Sequence, residues 1–248
     1  MSTYDNNIEM FVPDVPLMRE VERALEISLD WRSDTRAKTS LAHLAVSHGT
    51  SGIDILDYIV HRMGQQTLTT DLSSALTEAG SAWRVNADFT GLERRVEETV
   101  SEAAAVAMQH GKSGQLLREA WVAVYGVSPD PSKAYGQAIK AVEVAAHSLV
   151  TPNDAIATLG KMIGELRANP NKFTLSLAGK GDTASTGDTS AVTITRLMMQ
   201  LLWTGQHDRH GNFDTTQPIS VSQQEAEAAV HLAVLLVQWF ETGIIAHS

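Results

Sequence analysis

The chain has 248 residues, a hydrophobic fraction of 43%, no cysteine and a formal charge of -10 at pH 7. That excludes a disulfide framework and thiolate metal sites, and an acidic surface repels a phosphate backbone, so only a local basic pocket could receive nucleic acid. The length suits one large or two small domains with a substantial core.

Residues 1–7 carry no basic n-region and no apolar h-region, so no secretory leader is expected there. The longest near-continuous apolar run, 228–240, is broken by His231 and Gln238 and falls short of the ~20 residues a membrane span needs. The expected location is cytoplasmic, with no membrane partner.

Taken in order, Pro13 and Pro16 bracket a helix start, after which Leu17, Val21, Leu25 and Leu29 recur at helical spacing. A second helix is predicted over 35–48, apolar at Leu41, Leu44 and Ala45 and ended by Gly49. Ser51 stands where it can cap a third, whose inner face is Ile53, Leu56, Ile59 and Val60. A fourth is predicted over 70–78. The period then drops to two. Residues 82–85 and 92–96 alternate around a turn at 86–91, which predicts a β-hairpin and is the one strong strand signal. Helices are predicted over 97–110 and 116–125. The Pro/Gly/Asp turn at 126–131 is the expected boundary between a helical N-terminal region with one hairpin, 1–126, and a four-helix bundle, 131–248.

In the bundle, Pro131 opens a helix that runs to about 148. Thr151-Pro152-Asn153-Asp154 opens the next, which stops before Pro170. The Gly/Ser/Thr/Asp tract at 180–190 reads as a mobile loop. A third helix covers about 189–203. Ser220 or Ser222, with Glu225, forms a capping signal for a fourth over 221–240. From Ala228 that helix is apolar on every side, which fits a bundle interior or a subunit interface. The expected class is mainly α.

Chemistry-bearing residues crowd into one place, Trp203-Thr204-Gly205-Gln206-His207-Asp208-Arg209-His210-Gly211. His207, Asp208 and His210 have ligand types for a divalent ion, but no separate third ligand stands out, so neither a metal nor any other cofactor is expected. Gly111-Lys112-Ser113 ends like a phosphate loop, yet the first glycine of that motif would stand at Val106. Gly179-Lys180-Gly181 fits no better. His231 lies among Val230, Leu232, Ala233 and Val234 and reads as an interior histidine. Gln137, Lys140, Glu143 and His147 form a polar stripe on one helix, read first as a solvated face and second as a partner for the histidine segment.

Two segments carry a resemblance. One is Pro131-Ser132-Lys133-Ala134-Tyr135 through Ala141-Val142-Glu143, followed by Ala157-Thr158-Leu159-Gly160. The other is Gln206-His207-Asp208-Arg209-His210-Gly211, then Glu225-Ala226-Glu227-Ala228-Ala229-Val230-His231-Leu232-Ala233. Together they resemble the C-terminal domain of abortive-infection (phage-defence) proteins, over about 130–241. That domain is itself similar to the HEPN superfamily of helical, dimer-forming domains, many of them metal-independent ribonucleases.

The resemblance implies a HEPN-like four-helix bundle and a homodimer through its C-terminal helices. The family's catalytic pattern is an arginine, four to six residues, then a histidine. His210 matches the histidine, but the arginine would stand at Trp203, Thr204 or Gly205. The nearest guanidinium is Arg209. Arg36 and His43 have the family spacing, a two-residue coincidence of little weight in a chain with nine histidines.

Two functions follow from the resemblance. The favoured one is a dimerising, non-catalytic or weakly catalytic interaction module with a degenerate Arg–His motif. The alternative is a metal-independent ribonuclease acting on single-stranded RNA or tRNA. There His210 would be the general base, Arg209 or His207 would hold the phosphate, and Asp208 would raise histidine basicity. RNA as a partner is not favoured by the net charge.

Overall fold

A computed structural model of the chain describes residues 14–47, 50–64, 67–176, 191–205 and 221–248. These fold mainly as α-helix, with two small antiparallel ribbons of two strands each. Among the described residues, no helix is long and apolar enough to cross a membrane.

The chain divides into two compact units after Arg95, with Tyr125–Val127 returning to the first unit. The division thus falls about thirty residues before the boundary expected at 126–131. The reason is visible in the pairing. Gly126 bridges to Glu93 of the hairpin and Val127 packs on its core, while the two helices before it belong to the second unit.

The first unit holds α1 (Val15–Ala24), α2 (Asp34–Ser47), α3 (Thr50–Met63), α4 (Thr67–Glu78), β1 (Trp83–Val85) and β2 (Leu92–Arg94). The Asp14 side chain caps α1 by accepting the Leu17 N–H at 3.0 Å, with Pro16 in the first turn. Helical spacing suggested that α1 reaches Leu29, but it stops after Ala24, and Glu26 takes φ +51°. The Glu22 carboxylate organises the turn beyond, accepting Leu29 N–H at 2.8 Å and Trp31 Nε1–H at 2.9 Å. Leu29 thus reaches the core with Met18, Val21, Leu41, Ile55 and Ile59 from a loop, not from the helix face.

The predicted hairpin forms with Trp83 opposite Arg94, Arg84 opposite Glu93 and Val85 opposite Leu92. Arg84 and Glu93 pair across the strands at 2.7 Å. Val85 and Leu92 bury against Val60 of α3. The α3 carboxylate of Asp57 accepts the Leu92 N–H at 2.5 Å.

The second unit holds α5 (Glu98–Ala107), α6 (Gly111–Tyr125), α7 (Pro131–Val150), α8 (Leu159–Ala168), α9 (Ala191–Thr204), α10 (Gln223–Glu241), β3 (Phe173–Leu175) and β4 (Ile245–His247). Asp130 caps α7 through the Lys133 N–H at 2.9 Å, and Ser222 and Glu225 complete a capping box on α10. Helices α7, α8, α9 and α10 form a closed ring of neighbours: α7 on α8, α8 on α9, α9 on α10 and α10 back on α7. α5 adds to the free side of α10. The all-round apolar character of α10 is therefore met largely inside its own unit, where Ala226, Val230, Ala233, Leu236 and Val237 are buried.

α8 starts at Leu159, not at the Thr151-Pro152-Asn153-Asp154 signal. That signal builds a turn instead, with the Asp154 N–H bonded to the Thr151 carbonyl at 3.1 Å. The ribbon of β3 and β4, with Phe173 opposite His247, has no strand signal in the sequence. The 180–190 tract falls outside the described residues.

Candidate functional site

The site is best built from α7. Positions 133, 137 and 140 recur at four and three residues, and so share one face of that helix. Lys133, Gln137 and Lys140 occupy them, with Glu143 nearly a turn further. This face lines a groove of about 460 Å³, which Trp203 of α9 and Thr158 also line. It contains three members of the polar stripe noted in the sequence. The fourth, His147, lies apart, its Nε2 3.0 Å from the Asp154 carbonyl.

The helices beside the groove are tied together by specific contacts. The Glu143 carboxylate accepts the Leu159 N–H at 2.6 Å. It thereby caps α8, whose own N-cap residue Thr158 makes no side-chain capping bond. An anion at a helix N-terminus is favoured by both the orphan N–H groups and the helix dipole. At the other end of the ring, the buried Tyr135 hydroxyl donates to the Leu202 carbonyl at 3.1 Å, in the last turn of α9. Gly205 lies so close to the Tyr135 hydroxyl that a Cβ there would overlap it. Gly160 plays the same part for Trp203: a Cβ would stand 2.7 Å from ring atom Cζ2. Only glycine lets the indole lie against α8 and still border the groove.

Tyr135, Glu143, Gly160 and Thr158 belong to the first resembling segment, and the sequence suggests no packing role for any of them. Their spacing alone does not reveal that they meet α8, α9 and Trp203. The signal lay in the glycines and in the one carboxylate of α7.

The electrostatics distinguish this groove from its neighbour. Lys133 and Lys140 are exposed and make no ion pair among the described residues. Seven helical residues separate them, about 10 Å along the axis. Gln137 gives its Nε2–H to Glu119 of α6 at 2.5 Å, and its Oε1 is buried without a donor. By contrast, a second depression of about 500 Å³ between the α7 C-terminus and the ribbon is neutralised within itself. Its Lys161 pairs with Asp154 at 2.9 Å and its Lys172 with Glu165 at 3.1 Å. Lys161 also holds the Asp154 carboxyl below the usual range.

His207, Asp208, Arg209 and His210, the residues singled out for catalysis, lie outside the described residues. Gly205 ends the described stretch before them, against Tyr135. His231 is half-buried on α10 with its ring centroid 6.2 Å from that of Trp121. Burial holds its imidazole below the ordinary range, partly opposed by Glu227. Arg36 is an exposed helix residue whose guanidinium lies 3.6 Å from Asp30. Among the described residues no three His, Asp or Glu side chains group closely enough to hold a metal ion.

No family model, no curated protein and no solved structure matches this chain.

Proposed function

We propose that the second unit is a HEPN-like module of the abortive-infection type, an interaction module in phage defence whose working surface is the groove between α7 and Trp203. One observation carries the reading. Glu143 and Thr158, both from the first resembling segment, line the groove, and Gly160 of the same segment lies against Trp203, which lines it too. The ring of four helices supports the same reading.

A homodimer through the C-terminal helices belongs to this proposal. The surface it would cover is the outer face of α9, where Ile194, Leu197 and Leu201 recur at three and four residues and stand 45%, 47% and 67% exposed. α10, whose apolar character on every side fits a bundle interior or a subunit interface, is occupied mainly by α7, α5 and α9.

The second reading is the ribonuclease, with His210 as base, Arg209 or His207 as phosphate clamp and Asp208 beside them. Two observations favour it. Lys133 and Lys140 stand on the α7 face without ion-pair partners among the described residues. Gly205, held against Tyr135 in the wall of the same ring, is followed in the chain by Gln206 and then His207. The deciding experiment is an RNA cleavage assay on purified wild type and His210→Ala. The interaction-module reading expects no cleavage from either. Cleavage by wild type that is lost in His210→Ala overturns it in favour of the nuclease.

A further inference from the structure

We propose that the groove between α7 and Trp203 receives a short linear segment of another protein, one that carries two acidic side chains and then an arginine. The inference rests on the reading of this groove as the working surface of an interaction module and names the chemistry of its partner. The groove carries unneutralised charge of both signs. Lys133 and Lys140 are exposed and make no ion pair among the described residues. Glu143 lines the same groove, and one of its oxygens is engaged by the Leu159 N–H at 2.6 Å. Its other oxygen has no hydrogen-bond or ion-pair partner among the described residues. The complement of this set is a ligand of mixed charge, with carboxylates for the two ammonium groups and a cation for Glu143.

Position along the helix sets the order of those charges and the kind of molecule. Lys133, Lys140 and Glu143 follow one another on α7, with rises of about 10 Å and about 5 Å between them. The whole span of about 15 Å is what five steps of extended chain cover at about 3.3 Å each, and more than a free amino acid bridges. Gly136 and Ile139 line the stretch between the two lysines, an apolar bed for the residues between the two carboxylates. A nucleic-acid strand offers phosphates to the lysines but meets Glu143 with like charge. Arginine is the cation that fits beside Glu143. That carboxylate is bonded to Leu159, and the Trp203 ring lies against the next residue, Gly160, so anion and indole stand at the same turn of α8. A planar guanidinium stacks on an aromatic ring while giving an N–H to a carboxylate, a combination that a lysine ammonium matches less well.

The test is fluorescence polarisation on the full chain with two labelled, end-capped hexapeptides, Glu-Ala-Leu-Glu-Ala-Arg and its reverse, Arg-Ala-Glu-Leu-Ala-Glu, since the groove is open to either chain direction. Each is used with its arginine kept or replaced by alanine, on wild type, Lys133→Ala/Lys140→Ala and Glu143→Gln, and a labelled single-stranded RNA oligonucleotide is titrated alongside. The lysines are exposed and a glutamine still accepts the Leu159 N–H, so these variants keep the fold, which circular dichroism checks. The proposal expects saturable binding of one hexapeptide, weakened about tenfold by loss of its arginine, by Glu143→Gln and by the double-lysine change. In Glu143→Gln the arginine should matter several-fold less than in wild type, the signature of a direct pair. No saturable binding of either peptide, binding indifferent to the arginine or to the lysines, or an arginine effect undiminished in Glu143→Gln overturns it. RNA binding that needs the lysines, without peptide binding, overturns the peptide proposal but leaves the groove as working surface. If neither peptide nor RNA binding responds to the lysines, both readings fall.

Discussion

Two glycines of α8 allow a sharp test of how the groove wall is built. Gly164 is exposed and a Cβ there meets nothing within 4 Å, so Gly164→Ala collects the ordinary helix-propensity gain of about 0.8–1.0 kcal/mol. Gly160 lies one turn earlier in the same helix, but its Cβ would stand 2.7 Å from Trp203 Cζ2 and 3.0 Å from Cε2. Carbon atoms rest at about 3.5–4.0 Å, so the indole or the helix must yield by about 1 Å. Such overpacking costs about 1–3 kcal/mol. Gly160→Ala should therefore be less stable than Gly164→Ala by about 1–3 kcal/mol, although the chemical change is identical. For a unit of this size each kcal/mol moves Tm by about 2–4 °C, so thermal unfolding followed by circular dichroism resolves the difference. Removing the ring should remove the penalty. In a Trp203→Ala background Gly160→Ala becomes as favourable as Gly164→Ala, a coupling of about 1 kcal/mol or more in the double-mutant cycle. Equal stabilisation by both glycine substitutions in the wild-type background would refute the packing of Trp203 on Gly160.

Tyr135→Phe deletes the hydroxyl that bonds the Leu202 carbonyl and should lower stability by about 1 kcal/mol, read as a fall in the urea midpoint with unchanged slope. Burial raises the Asp57 carboxyl above its ordinary range. The folded state then holds this proton to higher pH than the unfolded state does. Asp57's contribution is present below the unfolded pKa and is lost as pH rises through the folded one. Asp57→Asn, which can still accept the Leu92 N–H, should flatten that decline in a series of unfolding curves from about pH 4 upward. An identical pH slope in wild type and variant would count against the burial of that carboxyl.

What the sequence made legible was whatever depends on neighbours in the chain. The Ser222–Glu225 capping box, Pro131 at the start of α7, and the alternation around 86–91 all report local geometry, and all appear where expected. What escaped depends on distant partners. β3 and β4 are three-residue segments about seventy residues apart, too short for any period to show. Leu29 matched the α1 spacing, yet the Glu22 carboxylate draws the chain out of the helix before it. For the site, the polar stripe on α7 was visible but ambiguous. Its meaning depends on Trp203, and the approach of Trp203 depends on Gly160, a residue whose importance lies in what it lacks. The histidine segment that dominates the sequence falls outside the described residues, so its chemistry rests on residue types and spacing alone.

The arrangement of α7 and α10 sets a timetable for biosynthesis. α7 ends at Val150 and its most extensive partner, α10, ends at Glu241. At about 5–20 residues per second, roughly five to twenty seconds of translation separate the two. Throughout that interval α7, whose Ala138, Val142 and Ala146 end up buried, lacks α10, and a nascent chain in that condition is open to chaperones and to aggregation. Slowing elongation between codons 150 and 241 should therefore reduce the soluble yield of this protein more than the same delay placed after codon 241.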